Sequence, residues 1–264
     1  MTVMKKFVLL CSFILSMLIS SNQDISQNIL DINIIEENLN HVIINYKINY
    51  FNIQNVYDND ELYHKIELAG EPNFLIAQYP DLPHINRSLI IPDDQSISVT
   101  ILASDFILYE NMNIPPSKGN LTRNIDISEI PYIKGENYNI DSFYPTALFD
   151  TADPYILRDY RGQVIQFNPF LYNPVSKQLK VYNDVTVQID FIGTNNINSL
   201  SRSSAVNKKI INEYNNLYLD HFLNYSTYQN RYTPINEDGE MLIICYDSFC
   251  DEMQPLVDWK NQKG

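Results

Sequence analysis

Two runs of strict alternation constrain this chain most. Val42, Ile44, Tyr46, Ile48 and Tyr50 alternate with Asn45, Lys47 and Asn49; Val185, Val187, Ile189 and Phe191 alternate with Thr186, Gln188 and Asp190. A period of two puts one set of side chains on each face of an extended backbone. Both runs therefore predict strands with one apolar and one wet face. Tyr63–Leu68, Ser96–Ala103 and Gln163–Asn168 read as further strands, and FLYNPVSKQLK, with Asn173-Pro174 and a polar tip, reads as a hairpin. The spacing predicts a mainly β fold: an antiparallel β-sandwich or barrel-like domain over residues 25–193.

Such a domain must stand on its hydrophobic core. Of three cysteines, Cys11 lies in an N-terminal apolar segment and Cys245 and Cys250 lie near the end, so none is left to staple the β region. At roughly 170 residues it is large enough to manage without. Seven glycines against 13 prolines and 19 tyrosines suit strands joined by Pro-punctuated loops.

Residues 1–21 carry Lys5 and Lys6, an apolar core from Phe7 to Ile19, then Ser20 and Ser21. This is the pattern of a secretory signal peptide, with an apolar stretch too short for a comfortable membrane span. An uncleaved anchor is the alternative. Removing these residues takes two lysines and no acids, moving the net charge from −14 to −16. So acidic a chain repels nucleic acid and anionic lipid; neither nucleic acid nor, after signal removal, a membrane is an expected partner.

The far end changes character. Met241–Cys245 is a continuous apolar run, the pattern of a strand buried on both faces, and from Asp251 the period becomes helical. Pro255 suits that helix if it begins near Cys250. Residues 239–264 thus predict the first strand and helix of an α/β domain that stops there, so the chain reads as a fragment or truncated precursor. Residues 194–238 read as a linker holding one amphipathic helix, with Ile210, Ile211, Tyr214, Leu217, Tyr218 and Phe222 on one face. Phe106–Tyr155 is long, irregular and proline-rich, and a stretch of that kind is a functional loop or a tail.

LIICYDSFCDEMQPLVDWKNQKG, near the end, resembles the opening of the gingipain-type cysteine peptidase domain. The β region is similar to the propeptide of the same family through an ordered set of short motifs. These are YPDLP at Tyr79–Pro83, IIP at Ile90–Pro92, FYP at Phe143–Pro145, LRDYRG at Leu157–Gly162, YNP at Tyr172–Pro174 and LKVY at Leu179–Tyr182. The resemblance implies a secreted zymogen. Its β propeptide would cover the active-site cleft of a caspase-like α/β domain until the linker is cut. The catalytic Cys and His would lie beyond this chain, so the fragment alone should have no peptidase activity. Its partners would be its own peptidase domain and, for the parent, protein substrates.

A propeptide can block a peptidase by presenting a substrate-like side chain. Lys118, Arg123 and Lys134, in the irregular middle, are the candidates if the parent prefers basic residues. Arg202 and Arg231, in the linker, are candidate processing sites, with Lys208 and Lys209 as further options. Cys245 reads as a buried, inert thiol and Cys250 as a helix-start thiol without a neighbouring His. A bridge between them is disfavoured by the expected strand-to-helix geometry. His41, His64, His84 and His221 are scattered, and Asp58–Glu61 reads as a solvated acidic turn rather than a calcium loop, so no metal or other cofactor is expected. The rival readings are a secreted β-sandwich adhesion or carbohydrate-binding protein, with Trp259 and hairpin tyrosines as its platform, and a free-standing peptidase inhibitor.

Overall fold

The computed structural model describes residues 28–201, 209–229, 233–235 and 241–263. The expected signal peptide lies outside them. The fold is mainly β with antiparallel sheets, as expected, and none of the sheets closes into a barrel.

The larger sheet has the order β1 (Leu30–Glu37), β2 (His41–Ile48), β11 (Gln178–Ile192), β10 (Phe170–Asn173), with β6 (Ser96–Tyr109) also paired to β11. The two alternating runs meet here. β2 and β11 are antiparallel with Tyr46 opposite Val185, Ile44 opposite Val187 and Val42 opposite Ile189. All six side chains are buried. On the outer face, Asn45 Nδ2 donates to Asp184 Oδ1 at 2.7 Å. Phe149 and Phe167 stack with centroids 4.9 Å apart, and both rings pack near Tyr46. The β10–β11 hairpin turns where the sequence predicts, with Asn173 Oδ1 accepting from the Val175 and Ser176 amides.

β3 (Asn52–Asp58) and β4 (Glu61–Glu67) form a second hairpin. Its two-residue loop, Asn59-Asp60, has both φ angles positive, as a tight hairpin turn of the right twist demands. The acidic turn is therefore a structural hairpin tip. Among the described residues no cluster of His, Cys, Asp and Glu could hold a metal ion.

The chain divides into two compact units. The first comprises residues up to 85, 98–150 and 166–190, and holds the sheet core just described. The second comprises 86–97, 151–165 and the chain from 191 onward. A four-stranded sheet has the order β5 (Ile85–Ile90), β9 (Tyr160–Phe167), β7 (Phe149–Thr151), with β8 (Tyr155–Leu157) also on β9.

In the second unit the core is aromatic. The expected helix is present as α1 (Asn212–His221), preceded by β12 (Lys209–Ile211) and followed by the short α2 (Tyr225–Tyr228). Tyr218, Phe222 and Tyr225 are buried with Tyr160, Ile90 and Ile210. The Tyr160 and Tyr218 rings meet edge to face at 4.9 Å. Leu217, assigned to the same face by its spacing, is instead largely exposed. Gly162 permits the close approach: a Cβ there would lie 2.6 Å from Phe222 Cε1 and 2.8 Å from Tyr155 Cζ.

Two buried polar side chains tie this unit together. Arg161, 0% exposed, gives Nη1 to the carbonyls of Pro92 and Gln95 at 2.8 and 2.7 Å, Nε to Asn198 and Nη2 to Ile197, both at 3.0 Å. Asn224 completes both backbone positions of Ile90, accepting from its N–H at 2.8 Å and donating to its carbonyl at 3.0 Å.

The end of the chain departs from expectation twice. Met241–Cys245 is not a strand: it has no ladder partner among the described residues, and Leu242 and Ile244 are 84% and 87% exposed. An apolar run becomes a strand only when neighbouring strands take up its amides and carbonyls. Cys245 is neither buried nor free, because it is disulfide-bonded to Cys250. A one-turn 3-10 segment, Asp247–Phe249, folds the connection back and brings the two Cα atoms to 5.6 Å, within disulfide range. The helix itself, α3 (Cys250–Lys263), holds Pro255 inside it as its sixth residue, beyond the first-turn amides that lack intrahelical partners, with Asp251 and Glu252 in its first turn and Lys260 and Lys263 in its last. Trp259 lies half exposed beneath both lysine ammoniums.

Candidate functional site

The irregular middle of the sequence contains an arch in the first unit, residues 117–135, whose two feet are tied to one residue. The Gln78 N–H donates to the Ser117 carbonyl at 2.9 Å, and the Gln78 carbonyl accepts from the Gly135 N–H at 3.1 Å. Gln78 sits at φ +71°, a left-handed backbone that side-chain-bearing residues adopt only when their surroundings hold them there. Gly135 eases the contact, since a Cβ there would press on Gln78 at 3.0 Å from its Cβ and 3.1 Å from its carbonyl oxygen. The entering foot is held further by buried Pro115 and Pro116 and by the Ser117 N–H on the Tyr79 carbonyl at 2.7 Å. On the leaving side the Tyr132 N–H reaches Asp58 Oδ2 at 3.2 Å, and the Tyr138 hydroxyl donates to the Ile114 carbonyl at 3.0 Å.

The three basic candidates occupy different places on this arch. Lys118 stands at its start, donating Nζ to the Ile127 carbonyl at 2.8 Å and lying over the Tyr132 ring. It braces the arch across its width. Lys134 stands at the end, with Nζ on Glu61 Oε1 and 5.1 Å from the Tyr63 ring centroid. Arg123 is exposed in a turn closed by the Ile125 N–H on the Thr122 carbonyl at 3.1 Å, and its guanidinium has no partner among the described residues. Asp126 caps the following 3-10 turn through the Ser128 amide at 2.9 Å, fixing the far side of the tip. Ile125 and Ile127, 40% and 63% exposed, follow Arg123 along the tip.

Electrostatics reinforce the leaving foot. Glu61 is pushed down to about 2, first by its bond from Lys134 and then by the Tyr63 hydroxyl at 2.6 Å, with Asn113 adding a third donor. Burial and the same carboxylate push Tyr63 up. A cleft of about 840 Å³ lies in the same unit, lined by Lys65, Glu67, Asp81, Lys118 and Tyr132 among others. Lys65 is paired with Glu67 at 2.8 Å, and burial raises the Asp81 carboxyl. These are mixed, mutually engaged charges, with no nucleophile and base in register.

The remaining candidates have structural partners or lie elsewhere. His41 is 3.1 Å from Glu36, His64 Nδ1 accepts from the Asn113 amide at 3.0 Å, His84 stacks on Phe74, and His221 Nε2 is 2.6 Å from the Tyr155 hydroxyl. Arg202 and Arg231 lie outside the described residues. The clasp by Gln78 has no signature in the sequence, because it acts through backbone atoms. Glu61 could have been found only by knowing that Lys134 comes to it across 73 positions.

The profile of the family described as Propeptide_C25 matches residues 22–232. Gingipain R1 of Porphyromonas gingivalis is 37% identical over 193 residues, covering 70% of this chain and 18% of its own length. Gingipain R2 of strain ATCC BAA-308 / W83 of the same species is 36% identical over 187 residues, covering 70% and 25%. The chain thus spans a quarter or less of the length of these relatives. A solved structure of the complex of P. gingivalis RgpB pro- and mature domains superposes with a TM-score of 0.66 at 27% identity, covering 74% of this chain and 97% of that one.

Proposed function

Because the chain belongs to the Propeptide_C25 family and carries a gingipain propeptide, we propose that it holds a cysteine peptidase domain latent by placing Arg123 in that domain's substrate pocket. The observation behind this is the contrast along the arch. Two of its cations are engaged in internal bonds, and the third stands exposed in a turn that two exposed isoleucines, Ile125 and Ile127, follow. An arch clasped at both feet has already lost most of the loop entropy that binding would otherwise cost, so its tip binds as a preorganised element. The peptidase supplies the Cys nucleophile and His; this chain supplies the block. Likeness to a structure that is itself a complex of pro- and mature domains supports association with such a domain.

In this reading residues 1–21 direct export, and a cut at Arg202 or Arg231 separates propeptide from peptidase. N-terminal sequencing of the processed, secreted protein checks the cut; a terminus outside 200–240 rejects both sites. The inhibitory role is tested with recombinant 22–238 against a related mature peptidase. Arg123→Ala is expected to raise the inhibition constant at least tenfold, about 1.4 kcal/mol. An unchanged constant rejects the assignment of Arg123.

A further inference from the structure

Within the second unit, β12 and β13 (Thr233–Ile235) run parallel, with Lys209 opposite Thr233, Ile210 opposite Pro234 and Ile211 opposite Ile235. The chain between them passes through α1 and α2. The candidate cut at Arg231 falls in the short stretch between Gln229, which caps α2, and Thr233. The two paired strands are therefore on opposite sides of any cut made there.

β12 is firmly held on the upstream side. Ile210 is 1% exposed and belongs to the aromatic core with Tyr160, Tyr218, Phe222 and Tyr225. Ile211 leads directly into α1 as its N-terminal cap residue. That core is further fixed by the Tyr218 hydroxyl on Asp159 Oδ2 at 2.8 Å and the Tyr225 hydroxyl on Asn215 Oδ1 at 2.9 Å. None of these contacts depends on the covalent link at 230–232.

The downstream strand is held through its backbone. A parallel register draws its bonds through every second residue of each strand. Pro234 has no N–H, so in this register they run through Ile210: its N–H points to the Thr233 carbonyl and its carbonyl to the Ile235 N–H. The missing proton of Pro234 falls on the side that β12 does not use, which is how proline is tolerated there.

We infer that β12 is a docking strand for the linker residues just downstream of the cut. It holds Thr233–Ile235 after the chain is cut between Gln229 and Thr233. Cleavage and release are then separate steps, and the propeptide remains on its former neighbour through a β ladder. The inference takes from the proposed function only the position of the cut; it does not depend on Arg123.

The test makes that cut directly. A recognition sequence for a highly specific protease is inserted after Arg231 in the full chain, the chain is cut, and hydrogen exchange is followed at Ile210 and Ile235. Both amides should remain protected after cutting, and the two pieces should stay associated until denaturant is added. Ile235→Pro removes the second donor and should weaken association of the cut pieces at least fivefold. The near-UV aromatic spectrum of the uncut variant reports whether its core is intact. Loss of protection at Ile210 on cutting the parent chain, separation of its pieces in native buffer, or equal association with Ile235→Pro would overturn the inference. An unfolded Ile235→Pro leaves the exchange measurement to decide. Failure of Arg123→Ala to weaken inhibition would leave this result untouched.

Discussion

The two units solve the problem of burial differently. In the first, the shared face of β2 and β11 is mostly aliphatic: Val42, Ile44, Val185, Val187 and Ile189 come from two antiparallel strands, and the aromatic rings of Tyr46, Phe149 and Phe167 pack beside them. In the second, the core is mostly tyrosine and phenylalanine, contributed by residues 160 to 225, with Arg161 and Asn224 inside it. Aromatic rings pack well but leave hydroxyls and irregular backbone to be satisfied, so this core needs polar ties as well as apolar contacts. A regular sheet satisfies its own backbone and can be filled with hydrocarbon. A unit built from short strands, loops and a helix must bring donors with it.

That contrast makes predictions of graded size. The largest is Arg161→Met, which preserves much of the volume but leaves four carbonyls of the second unit without their donor. A loss of about 3–5 kcal/mol is expected, because unpaired buried polar groups keep their full desolvation cost. Chemical denaturation checks it; a loss under about 1 kcal/mol would mean that water replaces the guanidinium and that the polar tie is dispensable. Ile44→Ala in the first unit should cost about 2–4 kcal/mol through lost burial and a residual cavity. If it instead rivals or exceeds Arg161→Met, the hydrocarbon sheet is the more fragile core and the comparison is reversed.

A smaller effect depends on pH. Glu61, held near 2 in the fold, has an ordinary value of 4.5. Its pairing with Lys134 therefore contributes fully above about pH 4.5, and the contribution disappears as pH falls towards 2. Both side chains are partly exposed, which limits the size. Lys134→Met should lower stability at neutral pH, with the difference from the parent shrinking on acidification. A difference constant from about pH 6 to 2 would show that Lys134 acts through packing alone. The smallest effect belongs to the exposed end: Leu242→Ser should change stability by less than about 0.5 kcal/mol, since that side chain is 84% exposed. A larger loss would reveal a contact for Met241–Cys245.

The same contrast explains what could be read in the sequence. Strict alternation marked β2 and β11, and turn chemistry marked the β10–β11 hairpin, because period and turn type are local properties. The aromatic core was only half visible. Helical spacing found Tyr214, Tyr218 and Phe222, but nothing local shows that Tyr160 and Gly162 lie opposite them. At the end of the chain, composition promised a strand at Met241–Cys245, yet a strand is a relation between segments and this one has no partner in the described residues. On the arch, three basic residues looked equivalent. What separates Arg123 from Lys118 and Lys134 is the engagement of the other two by Ile127 and Glu61, which only the folded chain displays.

The most direct measurement is therefore a comparison of the three arch cations in one assay. The inhibition constant of recombinant 22–238 would be determined against mature gingipain R1 for Arg123→Ala, Lys118→Met and Lys134→Met. If Arg123 is the group presented to the peptidase, its replacement raises the constant at least tenfold. The two lysine variants, which loosen the arch without removing its tip, then produce smaller increases. Equal effects from all three, or an Arg123→Ala protein that inhibits as well as the parent, would contradict the account.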